Sequence, residues 1–172
     1  MAASKKPNGK GLEDLFLDGL KDIYYAEKKI TKALPKMARG AESDELRAAF
    51  EKHLAETEEQ VERLVQVFEL LGASARGKTC PAIDGILEEG TEILEEYKGS
   101  PALDAGLIAA AQAVEHYEIC RYGSLVTWAE LLEMAEATGL LKTTLAEEEA
   151  TDEALSALGE GGVNDRALQE AA

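Results

Sequence analysis

The chain has 172 residues, enough for one domain with a substantial buried core. It is 45% hydrophobic and 30% charged, which excludes a disordered polymer, and its formal net charge of −16 sets it against nucleic acid and anionic membrane surfaces. Two distant cysteines without metal-type spacing, a start without an apolar stretch, and no run long enough to span a bilayer together predict a reduced, cytoplasmic setting.

Residues 1–10 are polar and read as a flexible tail. From Leu12 to about Arg39 a stripe of Phe16, Leu20, Ile23, Glu27, Ile30, Leu34 and Met37 advances by alternating steps of 4 and 3, the signature of one helix face packed in a bundle. Ser43 reads as the cap of a second helix, with Asp44 and Glu45 in its first turn. Its stripe runs through Leu46, Phe50, Leu54, Thr57, Val61, Leu64, Phe68 and Leu71, and Gly72 ends it. A loop leads to a shorter helical segment from Pro81 to about Lys98. A third long helix is expected from Ser100-Pro101 to about Ala137 and, after an interruption at Gly139, a fourth over roughly Leu140 to Leu158. Residues 160–172 read as a second flexible tail, leaving 11–159 as the folded unit. No strand pattern competes. A long connection between the middle helices lets them run parallel, the arrangement of a ferritin-like four-helix bundle with an extra helical segment in that connection.

The second and fourth helices resemble each other. His53-Leu54-Ala55-Glu56 aligns with Thr144-Leu145-Ala146-Glu147, and Leu64 meets Leu155. The first and third helices share the register, because Glu27 precedes Glu56 by 29 residues and Glu118 precedes Glu147 by 29. Each half of the chain therefore offers one glutamate from each of its two long helices.

Most of the glutamates suit solvated faces. Glu27 instead takes a stripe position between Ile23 and Ile30, and Glu118 falls near the centre of the third helix's apolar face, with Glu115 one turn before it. A buried carboxylate without a partner costs several kcal/mol or is forced to stay protonated. Acids aimed into one core from several helices favour a metal over separate salt bridges, and carboxylates with an imidazole suit iron or manganese. His53, three residues before Glu56, is the histidine placed to join them. Glu56 and Glu147 rest on the register, and Glu148 lies nearer the fourth helix's stripe than Glu147 and is a substitute for it. His116 points away from the apolar face. The tyrosines, Tyr122 included, read as packing residues.

The segments LEDLFLDGLKDIYYAEKKITKALPKMA, FEKHLAETEEQVERL, LIAAAQAVEHYEICRYGSLVTWAELL and LKTTLAEEEATDEAL span most of residues 12–155. In them the chain resembles the YciE/YciF ferritin-like family of bacterial stress proteins. The resemblance implies a homodimer with a di-metal site built from Glu27, His53, Glu56, Glu115, Glu118 and Glu147, and a role in stress response. The metal pair is expected to be iron, with manganese or zinc as alternatives. The wider ferritin-like pattern often has Glu-x-x-His on the second and fourth helices; here the second reads His53-x-x-Glu56, and Thr144 stands where the fourth would carry histidine. The rival reading is a non-catalytic helical scaffold with a structural acidic core.

Overall fold

The stripe from Phe16 onward becomes a single long helix, α1, over Leu12–Gly40, in a computed structural model that describes residues 9–170. Residues 1–8 of the expected first tail lie outside the described residues. The other helices are α2 (Asp44–Leu70), α3 (Pro81–Glu96), α4 (Leu103–Leu131), α5 (Ala135–Leu158) and α6 (Asn164–Glu170). The described residues contain no strand.

α1 packs on α2 and α4, and α5 packs on the same two, so four long helices enclose one core. α3 lies against α1 and α4. Cross-helix contacts fix the directions. The Asp104 carboxylate at the start of α4 accepts from the backbone N–H groups of Glu42 and Ser43 at 2.9 and 2.7 Å, just beyond the end of α1. At the other end Gly19 faces Leu125. α1 and α4 are therefore antiparallel, α2 opposes α1, and α2 and α4 run the same way across the core. The 71–80 segment makes that return possible. It is tied to α1 by the Lys78 N–H donating to the Lys21 carbonyl at 3.0 Å, and Gly77 passes so close to Tyr25 that a Cβ there would sit 3.2 Å from the Tyr25 Cα.

Helix ends show what local sequence controls. Ser43 caps α2 as expected, its hydroxyl accepting from the Leu46 N–H at 3.2 Å. α2 ends with Gly72 at φ 62, the Ala73 N–H reaching back to the Phe68 carbonyl and the Gly72 N–H to Glu69, both at 2.9 Å. This is the closure that favours glycine, since an added Cβ strains the left-handed backbone. The end of α4 closes in the same pattern, with Met134 bonded to Ala129 and Glu133 to Glu130, but the residue at φ 58 is Glu133. The break therefore falls at 132–134 rather than at Gly139, which lies inside α5. No glycine marks it, because tertiary packing of α4 and α5 holds the turn. Glu133 is exposed, so Glu133→Gly relieves backbone strain without removing a packed side chain. It is expected to stabilise the fold by about 0.5–1 kcal/mol, read as a raised midpoint in urea unfolding.

The sequence after Leu158 also differs from the expected tail. A wide turn over Gly159–Val163, with Gly162 at φ 128, folds the chain back so that Val163 is buried and α6 follows. One apolar side chain on a glycine-permitted turn ties down this segment against α4.

Candidate metal centre

The α1 core face comprises Phe16, Leu20, Ile23, Ala26, Glu27, Ile30, Leu34 and Ala38; Met37 is only partly buried. Glu27 is fully enclosed. On α2 the buried stripe is rotated from the one hydrophobicity suggests. His53, Thr57, Gln60 and Leu64 face inward, at steps of 4, 3 and 4, while Leu54 and Val61 are partly exposed. α4 contributes Glu115, Glu118 and Tyr122, all buried at helical spacing. α5 contributes Thr144 and Glu148 on the stripe that runs from Leu141 to Leu155.

Four carboxylates thus enter one core with relative exposures of 0–1%: Glu27, Glu115, Glu118 and Glu148. One ligand atom from each of His53, Glu115, Glu118 and Glu148 lies within 4.8 Å of the others. His53 Nε2 stands 3.2 Å from a Glu115 oxygen, but the alignment is poor and neither imidazole nitrogen makes a hydrogen bond. Both oxygens of Glu118, both of Glu148 and one of Glu115 are buried with no hydrogen-bond partner. Glu27 fares better on one side only: the Tyr122 hydroxyl donates to its Oε1, while its Oε2 has no partner.

The electrostatics follow from this crowding. Burial pushes the Glu27 carboxyl up to about 7, although the Tyr122 hydrogen bond and the nearby His53 act the other way. Glu118 is pushed well above the usual carboxylate range, first by burial and then by the charges of Glu27 and Glu148. Glu148 is raised for the same reasons, with Glu27 and Glu115 as its neighbours. Burial works to lower the His53 pKa, but the hydrogen-bonding approach and charge of Glu115, with Glu27 and Glu56 behind it, raise it on balance. Tyr122 is held as a phenol, first by burial and then by the surrounding carboxylates.

Two of the six expected ligands are bound by cations at or beyond the edge of this cluster. Glu147 lies on the flank of α5 that faces α2, where Arg63 donates to both its oxygens at 2.6 Å and the Gln60 amide adds a bond at 3.1 Å. It is committed to an ion pair between helices, and Glu148 takes the interior place. Glu56 is half-buried; Lys52 binds one oxygen at 2.6 Å, and the other is enclosed without a partner at the edge of the cluster. Glu27, His53, Glu115 and Glu118 converge. His116 is exposed, 3.4 Å from Asp152.

The repeat explains the exchange. Interior positions in the two halves do match at an offset of 91 residues, but through Glu27 and Glu118, His53 and Thr144, Thr57 and Glu148, and Leu64 and Leu155, each of them buried. The pair at 56 and 147 is the flank beside that stripe. The internal symmetry is one of shape, and its chemistry is lopsided: the second half supplies three of the four enclosed acids and the first supplies the imidazole. Tyr122 and Gln60 were the residues least visible in the sequence. Gln60 had a signal in its spacing from His53, Thr57 and Leu64, whereas the partner of Tyr122 lies on another helix.

This donor set fits divalent metal. The described residues place no lysine or arginine on these four carboxylates, and four ionised carboxylates balance the charge of two divalent ions with the imidazole neutral.

Residues 11–168 match the family model described as a domain of unknown function, DUF892. The chain belongs to the DUF892 family. Among proteins similar to this member is YciF of Escherichia coli strain K12, 46% identical over 165 residues that cover 95% of the chain and 99% of YciF. The crystal structure of that E. coli stress protein superposes with a TM-score of 0.86 at 46% identity, covering 91% of this chain and 99% of the other. The solved structure of YcfI, a putative structural protein from Rhodopseudomonas palustris, gives a TM-score of 0.83 at 48% identity over 88% of this chain and 97% of its own. A Xanthomonas campestris protein at 23% identity gives 0.73, covering 94% of this chain and all of its own, and extends the likeness in fold alone.

Proposed function

We propose that this DUF892 member is a ferritin-like four-helix bundle, with α3 as the extra segment of its long connection, that binds two divalent metal ions in its core and acts in the cytoplasmic stress response as a homodimer. The observation that carries this is the set of enclosed oxygens on Glu118 and Glu148 that have no hydrogen-bond partner beside an equally unpartnered His53. A structural core would satisfy those atoms with amides, hydroxyls or guanidinium groups, as Arg63 does for Glu147 at the rim.

His53, Glu115, Glu118 and Glu148 are the residues that would hold a first ion, with Glu27 and Glu56 completing the set for a second. Iron suits these donors, with manganese or zinc as alternatives, and when bound it supplies one-electron chemistry toward oxygen or peroxide. The chain's own contribution is positional. Tyr122 fixes one Glu27 oxygen and leaves the other directed at the cluster. The apolar layers of Phe16, Leu20 and Ile23 on α1 and of Leu64, Val67 and Phe68 on α2 close the core at the end of the bundle where α1 begins. Similarity to the E. coli stress protein supports the physiological setting.

Elemental analysis tests this reading. Protein purified without chelator, or loaded anaerobically with ferrous ion, should carry about two metal ions per chain. Fewer than about one iron, manganese or zinc per two chains after loading rules the reading out.

A further inference from the structure

A cavity of about 420 Å³ opens between the C-terminal half of α1, α3 and α4, and its inner end reaches His53 and Glu115. It joins the surface to the acidic core by way of a deep apolar wall, and its volume lies in the range of pockets that take small organic ligands. Ile30, Leu34, Met37, Leu87, Leu94 and Val114 form the wall. Oxygen, peroxide or a hydrated metal ion needs neither that volume nor that wall.

The mouth has the opposite character. Lys29, Lys32 and Lys36 follow one another along one face of α1 at the rim. Lys29 is occupied, 3.0 Å from Asp84, which also accepts from the Tyr25 hydroxyl at 2.8 Å. Lys32 and Lys36 are exposed and have no ion pair among the described residues, leaving Glu88 as the one other acid at the rim. In a chain with a net charge of −16, a cationic mouth over an apolar cavity selects an anion with a hydrophobic body.

We propose that this cavity binds a medium-chain carboxylate of about ten carbons, its head held at Lys32 and Lys36 and its tail directed along the wall toward His53 and Glu115. The reverse orientation would bring an anionic head against Glu115, the carboxylate at the inner end, where like charge opposes it. The site goes beyond the metal reading: it is argued from wall and rim alone, and binding is expected in metal-free and metal-loaded protein alike.

The test is calorimetric titration of the full chain with decanoate, kept below its micellar concentration, with decyltrimethylammonium as the same tail bearing the opposite charge. Saturable binding of one decanoate per chain is expected, at least about tenfold tighter than the cationic analogue. Lys32→Glu with Lys36→Glu should weaken decanoate at least about tenfold and reverse the preference between the two amphiphiles. Ala33→Phe, which fills the wall, should remove binding while leaving the far-UV spectrum and metal content unchanged. The surface lysine pair keeps the test decisive should the phenylalanine variant fold poorly. No saturable uptake, equal affinity for both amphiphiles, or indifference to the lysine reversal overturns the proposal. So does a dimer that Ala33→Phe dissociates, since a second copy would then be the occupant. Decanoate binding without any metal loading would sink the metal reading and leave this one standing.

Discussion

Glu148→Gln is expected to abolish loading of at least one metal ion per chain, whereas Glu147→Gln, one residue away, leaves the stoichiometry unchanged. The two side chains differ by about 100° around α5. That rotation places Glu148 in the core with both oxygens unpartnered and Glu147 against Arg63. Glutamine preserves volume, so a loss at position 148 reports the missing anionic ligand rather than a cavity. Glu118→Gln should match Glu148→Gln, and each should weaken affinity by at least about tenfold in a competitive chelator assay. The cost at 147 appears in stability instead. The Arg63 pair is partly solvated, with side-chain exposures of 15% and 26%, so its loss should remove only about 1 kcal/mol. Equal effects at 147 and 148 would mean that the buried cluster is not the binding site.

The second large effect is on stability in the absence of metal. The Glu27 carboxyl moves from an ordinary value of 4.5 to about 7 in the folded chain, so between those values the native state binds more protons than the unfolded one. Stability is therefore fully present below about pH 4.5 and is lost as pH rises through about 7, by about 3 kcal/mol from this group alone. Glu118 and Glu148 are raised too and act in the same direction, and His53, also raised, loses its contribution as it deprotonates. Chelator-treated protein should thus unfold at lower urea as pH is taken from 5 to 8. Metal reverses the sign. Binding requires ionised carboxylates and releases their protons, so loaded protein should gain stability over the same range. Glu118→Gln should flatten the metal-free slope. A metal-free chain whose stability rises from pH 5 to 8 would show that these acids are ionised at little cost and are compensated by something other than metal.

The first effect turns on a distinction of one residue, and that marks how far the sequence reached. The stripe from Phe16 to Leu34 was legible because a regular step of 3 and 4 fixes a face of α1, and Glu27 stood out as the one charge on it. Glu118 was legible in the same way on α4. Ser43 and Gly72 announced the ends of α2 because capping and left-handed closure are local chemistry, settled within a few residues. The wall cavity and its lysine mouth left no such mark, since they arise from three helices brought together.

What the sequence determined, then, is which helices exist and that acids sit near the middle of their apolar faces, because periodicity measures an angle about a single axis. The tertiary structure decided which acids are enclosed together. Glu148 lies nearer the α5 stripe than Glu147, and the position of Arg63 on α2 holds Glu147 in an ion pair while Glu148 enters the core. It likewise turned His53 and Gln60 inward ahead of Leu54 and Val61, and set Tyr122 on Glu27. It also closed the end of α4 through Glu133, at positive φ, without a glycine. Each of these depends on what faces the residue from a neighbouring helix. Carboxylates brought together in this way lose their water before they gain a partner, and that deficit, a property of the assembled core, is what points to metal.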